Sequence, residues 1–279
     1  MKAGSAPDTR PSLKEALTAL FADPHDKAFF FALHGVLLPA HRHEGPTEAP
    51  DAPIGLLDEL HRISGGAVAV LSDRSLDEVD GVLAPLRMAG CGSNGLEIRH
   101  FCGGPAMKLR FAADLDPVRR LLTARRDLER RVDVTDDGLA LTLGHGGEAV
   151  AMEAARIFAH DAVALAPAVY RAEFGAGSAR VTFAGASLGS AVCRIMDGEI
   201  FAGRIPIVFG PAGRSTDFRA VARFFGGTTV AVGSVADTEA DIRLDGPRDV
   251  HWIIRDLLAH FEVESRTDPR GNDQPTTPS

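Results

Sequence analysis

Uninterrupted runs of apolar residues recur along the chain, at residues 28–33, 67–71, 205–209 and 228–232. They lack the alternation of a half-exposed strand, and such runs are typical of strands buried on both faces of a parallel sheet. Segments with apolar residues at helical spacing lie between them, as in chains that cover a parallel sheet with helices. The pattern therefore predicts an α/β protein with one mainly parallel sheet.

The end of the second run carries a helix start signal. Ser75 and Glu78 stand at the spacing of a capping box, which predicts that a helix begins at about Ser75. Ser72 then lies in a strand-to-helix turn at the carboxyl end of a parallel strand. Ligands bind at such turns because the N-terminus of the following helix presents free N–H groups.

The middle of the chain has a different pattern of apolar and polar residues from the segments on either side. Residues 105–195 mix short strand patterns with amphipathic helices, which predicts an inserted α+β lobe, the cap domain. The core domain is then predicted at residues 27–104 and 196–262. The ends, residues 1–10 and 264–279, are polar and proline-bearing without apolar periodicity, and we expect both to be disordered tails.

Composition narrows the class of protein. Apolar residues make up 45% and charged residues 24% of the 279 residues, which is ordinary for a globular chain. With 30 Lys and Arg against 38 Asp and Glu, the net charge is −8, and no basic run indicates a nucleic-acid partner. No apolar run approaches the roughly 20 residues of a membrane span. Three cysteines without a CxxC pair, and a polar N-terminus, predict a cytoplasmic location.

Four segments match the motifs of one known family in order and spacing. They are FFFALHGVLLP at residues 29–39, VLSDRSL at 70–76, GSNGLEIR at 92–99 and the strand pattern at 138–143. With these segments the chain resembles the trehalose-6-phosphate phosphatases of the haloacid-dehalogenase-like superfamily. The resemblance implies a Rossmannoid core with a parallel sheet and an inserted α+β cap domain.

The resemblance also implies where the chemistry of such a phosphatase would be. The family uses an aspartate nucleophile at the end of the first strand and an acid/base aspartate two residues later; here these positions are Ala32 and His34. The phosphate-binding lysines of the cap and of the later core motif correspond to Asp137 and Leu188. We therefore expect a degenerate member of the family, without intact catalytic motifs.

The implied magnesium loop is changed as well. Pro211 and Ala212 stand where the family has its acidic ligands, and Asp217 is the one acidic remnant nearby. Because Mg²⁺ prefers about six oxygen ligands with one or two carboxylates among them, we expect no bound metal and no other cofactor.

Five polar side chains remain as ligand-binding candidates. They are Ser72, Arg74, Asn94, Glu97 and Arg214. Ser72 and Asn94 stand in turns, where a plain structural role is also open for each. Arg74 and Glu97 have an ion pair as their alternative role, and Arg214 lies near the former metal loop.

These residues leave three hypotheses for function. The first is a pseudoenzyme with a binding or regulatory role in trehalose metabolism, whose partner is a sugar ligand or a trehalose-pathway enzyme. The second is an active phosphatase on trehalose 6-phosphate or another sugar phosphate, by an altered mechanism that uses His34 or Asp217. The third is a structural subunit of a trehalose-synthesis complex.

Overall fold

A computed structural model describes residues 23–39, 51–111, 114–125, 130–175, 177–213, 217–234 and 240–267. Its strands are β1 (Lys27–Ala32), β2 (Val68–Leu71), β3 (Ala89–Gly92), β4 (Glu97–Arg99), β5 (Met107–Lys108), β6 (Asp133–Asp136), β7 (Ala140–Gly144), β8 (Tyr170–Phe174), β9 (Ser178–Phe183), β10 (Ile205–Pro211), β11 (Thr228–Val232) and β12 (Ile242–Leu244). Its α-helices are α1 (Asp51–Ile63), α2 (Leu76–Leu83), α3 (Asp116–Ala124), α4 (Ala149–Leu165), α5 (Leu188–Met196), α6 (Asp217–Phe224) and α7 (Pro247–Thr267).

A large sheet organises the core, with strand order β12-β11-β10-β1-β2-β3-β4-β5. The strands from β12 to β3 are parallel, and β4 and β5 continue the sheet in antiparallel pairing. The predicted α/β class is confirmed, and β1 lies in the middle of the parallel part of the sheet. The four predicted strands appear within two residues of their expected ends.

Two apolar layers enclose β1, which explains its unbroken hydrophobic run. Phe29 and Phe31 face a cluster that includes residues of α1, α2 and α7. Ala28 and Phe30 face the other cluster, which includes residues of α5 and α6. Since side chains alternate along a strand, both sides of β1 must be apolar when both faces of the sheet are covered.

A second, four-stranded antiparallel sheet forms the small lobe, with order β6-β7-β9-β8. One face packs on α3 and α4 through a separate apolar cluster that contains Leu141, Leu143, Val181 and Phe158. The opposite face carries polar residues. On that face the register pairs Arg171 with Thr182 and Glu173 with Arg180. The small lobe thus turns a polar face away from its own helices.

The predicted cap boundaries of 105 and 195 are wrong at both ends. Strand β5 pairs with β4 in the large sheet, and Leu109 donates its N–H to Leu96 O at 2.8 Å. Helix α5 buries Ala191, Val192 and Ile195 against the core rather than against the small lobe. The sheet and helices of the small lobe therefore run from α3 to β9, whereas β5 and α5 pack with the core.

The expected tails fall mostly outside the described residues, which begin at 23 and end at 267. The expected start of the second tail at 264 is wrong, since α7 continues to Thr267. The residues at 262–266 are mainly good helix formers, and Pro269 is the next residue that cannot continue a helix. None of the described helices combines the length and the apolar character that a bilayer crossing requires.

Candidate functional site

A cavity of about 550 Å³ lies between the large sheet and β8 of the small lobe. Its floor is formed at the carboxyl ends of β1, β2 and β10, the edge at which ligands bind in parallel α/β sheets. The lining consists of Ala32, Leu33, His34, Leu71, Ser72, Asp73, Asn94, Arg171, Glu173, Phe174, Leu188, Pro211, Gly213 and Asp217.

Ala32 and His34 line this cavity at the end of β1. Leu33 donates its N–H to Leu71 O at 2.8 Å, which holds the end of β1 beside β2. The chain then reverses at Gly35, where φ is +81°, a value that glycine adopts without strain. Gly35 N–H donates to Leu38 O at 2.7 Å and closes the turn. The methyl group of Ala32 offers the cavity neither a nucleophile nor a ligand atom.

Ser72 lies in the turn from β2 to α2, as predicted from the capping box. Helix α2 begins at Leu76 with Ser75 as its N-cap, and both hydrogen bonds of the capping box with Glu78 are present. The buried Ser72 accepts the Arg74 N–H on its Oγ at 3.0 Å. Its hydroxyl hydrogen remains available to a ligand in the cavity.

Asn94 connects the core to the small lobe across the cavity. It adopts a left-handed conformation, with φ 54° and ψ 39°, in the turn after β3. Its N–H donates to Ser72 O at 3.1 Å, and its Nδ2 donates to Glu173 Oε2 at 2.8 Å. Glu173 also forms an ion pair with Arg171 on the same strand. Asn94 therefore acts as a contact between the lobes as well as a group of the lining.

The charges around the cavity are mostly negative. Asp73, Glu173 and Asp217 supply three carboxyl groups, whereas Arg171 is the one arginine or lysine among the described lining residues. Asp217 accepts the N–H of Gly189 on Oδ2 at 3.2 Å, next to the start of α5. A ligand that enters this cavity meets more hydrogen-bond acceptors than cationic donors.

The three cysteines offer no thiolate to this site. Burial raises the pKa of the Cys91 thiol, which lies behind Ser72, to about 12. Burial also raises the pKa of Cys102 and of Cys193 above the usual value. Because the thiolate is the nucleophilic form of cysteine, thiol chemistry is not available here near neutral pH.

Comparison with known proteins identifies the group to which this arrangement belongs. The chain is 27% identical over 252 residues to the trehalose-6-phosphate phosphatase of Escherichia coli (strain K12), a match that covers 88% of this chain and 91% of that protein. The chain is a homologue of the trehalose-6-phosphate phosphatases. No protein-family model matches it.

Solved structures show that this homologue has the haloacid-dehalogenase-like fold. The C-terminal domain of the Candida albicans trehalose-6-phosphate phosphatase superposes with a TM-score of 0.73 at 15% identity, covering 90% of this chain and 99% of that one. The C-terminal domain of the Candida albicans trehalose synthase regulatory protein gives 0.65 at 14% identity, covering 88% and 99%. A haloacid-dehalogenase-like hydrolase from B. subtilis gives 0.60 at 12% identity, covering 84% and 99%.

The cavity brings together four positions that the sequence resemblance aligned with motif residues of the phosphatases, namely Ala32, His34, Leu188 and Pro211. The acidic Asp217 lines it as well. Ala212 is not among the lining residues, and Arg214 lies outside the described residues. Ser72 and Asn94 also line the cavity, so two of the five ligand-binding candidates belong to the site.

The donor set does not fit the magnesium site that the phosphatase fold implies. Ala32 and Pro211 bring no oxygen atom on their side chains, and Asp217 is the nearest acidic residue of that loop in the cavity. Within the described residues, no group of three His, Cys, Asp or Glu side chains is arranged to hold a metal ion. No chemical step can be derived through a metal with these side chains.

Two predicted ligand-binding residues make contacts outside the cavity. Glu97 is buried and accepts the Leu76 N–H on Oε2 at 2.7 Å, at the N-terminus of α2. Its other oxygen lies 3.8 Å from Lys108 Nζ. Arg74 lies 3.7 Å from Glu78, one turn along the helix. Neither residue lines the cavity, and their part in ligand binding stays a prediction.

Asp137 also lies away from the cavity lining. Its Oδ1 accepts the N–H groups of Leu139 at 2.8 Å and Ala140 at 2.7 Å, which closes the turn between β6 and β7. Its Oδ2 is 3.4 Å from Arg180 Nη2. The carboxylate at this position is thus occupied by its own turn and by a neighbouring arginine.

Seven lining residues were not predicted from the sequence: Leu33, Leu71, Asp73, Arg171, Glu173, Phe174 and Gly213. Arg171 and Glu173 stand two apart in a strand, so period-two alternation placed them on one face. Nothing in the sequence showed that this face turns towards the core. That orientation comes from the packing of the small lobe.

Proposed function

We propose that this protein is a catalytically inactive homologue of the trehalose-6-phosphate phosphatases. In this proposal it binds an uncharged sugar in the cavity between the lobes, needs no magnesium, and has a binding or regulatory role in trehalose metabolism. The observation that carries the proposal is Ala32, whose methyl group lies at the end of β1 in the cavity lining.

The loss of the nucleophile is the main argument against turnover. An aspartyl-phosphate intermediate divides hydrolysis into two easier steps, and an alanine cannot form it. Removal of a nucleophile from residues that act as a unit costs on the order of 10⁴ to 10⁶ in rate. Leu188 and Pro211 add to this, because an isobutyl group and a proline ring replace a phosphate-binding amine and a metal ligand.

The charges of the cavity favour an uncharged ligand over a phosphate dianion. The three carboxyl groups of Asp73, Glu173 and Asp217 exceed the single guanidinium of Arg171, which is already paired with Glu173. Two negative unit charges about 5 Å apart repel each other by about 3 kcal/mol at an effective dielectric constant of 20. Sugar hydroxyls instead donate to carboxylates and accept from Ser72 and Asn94.

The regulatory part of the proposal draws on the structural neighbours. One of them is the C-terminal domain of a trehalose synthase regulatory protein. Because this chain shares that fold and has Ala32 at the nucleophile position, we infer that it binds a sugar and that the bound form interacts with a partner protein. A trehalose-pathway enzyme is the partner that this proposal names.

Calorimetric titration of the full chain with trehalose and with trehalose 6-phosphate tests the binding step. We expect saturable binding of trehalose and binding of the phosphate that is at least about tenfold weaker, about 1.4 kcal/mol. Tighter binding of the phosphate would contradict the electrostatic argument. Binding of neither sugar would favour the structural-subunit hypothesis.

A matched pair of lysine variants sharpens this test. Leu188→Lys restores an amine to the cavity and is expected to improve the affinity for trehalose 6-phosphate over that for trehalose. Leu165→Lys adds the same charge at an exposed position of α4 and is expected to change neither affinity. Equal effects of the two variants would show that the phosphate does not bind in this cavity.

An altered hydrolytic mechanism is the second candidate, because His34 and Asp217 both line the cavity. A histidine can act as general acid or base near neutral pH. Phosphate release from trehalose 6-phosphate, measured with and without Mg²⁺, separates the two candidates. We expect no release above the uncatalysed background. Release that is lost in His34→Ala and in Asp217→Asn would establish the second candidate instead.

A further inference from the structure

A second cleft, here called the edge cleft, lies at the far side of the small lobe. It has a volume of about 300 Å³ and is lined by the turn at residues 130–132, the first residue of β6 and the turn that follows β7. It shares no residue with the larger cavity. In the strand order β6-β7-β9-β8, the edge cleft is at one edge and the β8 residues of the cavity are at the other. Three strand spacings of about 4.8 Å separate those edges.

Two arginines dominate the charge of the edge cleft. Neither Arg130 nor Arg131 makes a hydrogen bond or an ion pair to a described residue, although Asp133 is in the same lining. Two other arginines of this lobe have acidic partners: Arg119 lies 2.7 Å from Asp136, and Arg125 lies 3.1 Å from Asp161. On a chain with net charge −8, this leaves a local excess of positive charge.

His145 adds a hydrogen-bond donor to the same cleft. It is buried, with 6% of its surface exposed, and its Nδ1 accepts the Gly147 N–H at 3.1 Å. The backbone N–H of His145 donates to Gly177 O at 2.8 Å, which fixes the residue in the turn. Because Nδ1 acts as an acceptor, the ring carries its proton on Nε2. That N–H has no acceptor among the described residues.

We propose that the edge cleft binds the oxyanion of a small ligand, a phosphate or a carboxylate group. Two guanidinium groups and an imidazole N–H offer donors only, and guanidinium pairs with both oxyanions in a bidentate geometry. The volume is at the lower end of ordinary ligand sites, so it suits a phosphate with a small attached group. The site is separate from the acidic cavity, and the inference does not rest on the function proposed for that cavity.

A double variant, Arg130→Gln with Arg131→Gln, tests this site in the full chain. The control is Arg156→Gln. Arg156 is an exposed arginine of α4 that does not line the cleft. Calorimetry with inorganic phosphate is expected to show saturable binding that weakens at least about tenfold in the double variant and is unchanged in the control. Equal phosphate affinity in the double variant, or no saturable binding to any of the oxyanions, would overturn the proposal.

Three further arms identify the ligand chemistry and the role of His145. Acetate in place of phosphate tests the carboxylate source, and trehalose tests a neutral ligand. We expect at least one oxyanion to bind and to lose affinity when the salt concentration rises, because screening weakens charge pairing. The nitrogen-15 resonance of His145 Nε2 is expected to move during that titration in the wild type and in Arg156→Gln. An unmoved resonance, or equal binding of trehalose to this cleft, would contradict the assignment.

Discussion

Arg99 is fully buried although it carries a charge. Its guanidinium donates to both oxygens of Asp80, at 2.6 and 2.7 Å, and to the carbonyl oxygens of Gly104 and Met88. A buried ion pair adds little by itself, but removal of one partner leaves the other charge uncompensated. This pair joins α2 to β4 behind the cavity floor.

Substitution of Asp80 is therefore expected to be severe. Asp80→Asn should lower the free energy of unfolding by about 3 kcal/mol or more, because Arg99 loses its countercharge in a buried site. Asp77→Asn, an exposed change in the first turn of the same helix, should cost about 0.5 kcal/mol. Urea denaturation measures both. A loss below about 1 kcal/mol for Asp80→Asn would contradict the role assigned to the pair.

We expect that restoring the carboxylates at positions 32 and 34 does not restore phosphatase activity. Ala32→Asp combined with His34→Asp restores both carboxylates of the family motif. We expect this double variant to release no phosphate from trehalose 6-phosphate, because Leu188 and Pro211 still provide neither the amine nor the metal ligand. Phosphate release with Mg²⁺ is the measurement, and a thermal melt verifies folding. Turnover by the folded double variant would show that those other positions are dispensable.

At the scale of elements, Arg119 ties α3 to β6. It donates to Asp136 through Nε at 2.7 Å and Nη2 at 3.1 Å, and to Asp116 through Nη1 at 2.8 Å. The hydrogen bonds from Arg119 hold the pKa of Asp136 below its usual value of 3.8. The ionised form of Asp136 is thus favoured in the folded state.

This depressed pKa gives a pH dependence of known sign. The stabilisation by Asp136 is complete above its unfolded pKa of 3.8 and is lost as the pH falls through the lower folded pKa. Arg119→Gln should cost at most about 1 kcal/mol at pH 6, since the groups are partly exposed, and the difference from the wild type should shrink towards pH 2. Arg120→Gln, an exposed change on the same helix, is the control. Denaturation at several pH values measures both, and a pH-independent difference would contradict the assignment.

At the scale of the whole molecule, polar contacts across the cavity join the lobes. Asn94 donates to Glu173, and Arg180 Nη1 lies 3.5 Å from Asp73 O. An apolar contact adds to them, since Phe111 stacks on Phe183 at 4.3 Å between ring centroids. The cavity exists because the small lobe is held over the carboxyl edge of the large sheet.

Loss of Glu173 should loosen this arrangement locally. Glu173→Ala removes the acceptor of Asn94 and the partner of Arg171, so the amides of β8 are expected to exchange hydrogen faster while those of β1 and β10 stay unchanged. Glu153→Ala, an exposed change on α4, should alter neither. Hydrogen-exchange mass spectrometry follows the peptides. Unchanged exchange across β8 in Glu173→Ala would mean that these contacts do not hold the lobe.

The sequence by itself determined the local structure of the core. Its unbroken apolar runs favoured strands covered on both faces, and Ser75 with Glu78 indicated the start of α2, because capping depends on near neighbours. The sequence also indicated that Ala32, His34, Leu188 and Pro211 belong to one site, through the family resemblance and because the carboxyl ends of parallel strands share one edge.

Only the tertiary structure decided what lies opposite that edge and where the lobes divide. Arg171 and Glu173 line the cavity because the polar face of the small sheet turns towards the core, and no local pattern records that orientation. The Glu97 carboxylate accepts the N–H of Leu76 at the N-terminus of α2, 21 residues earlier in the chain. This contact depends on the pairing of β4 with β3. Short edge strands such as β5 carry too little pattern to be assigned to a sheet before their partners are known.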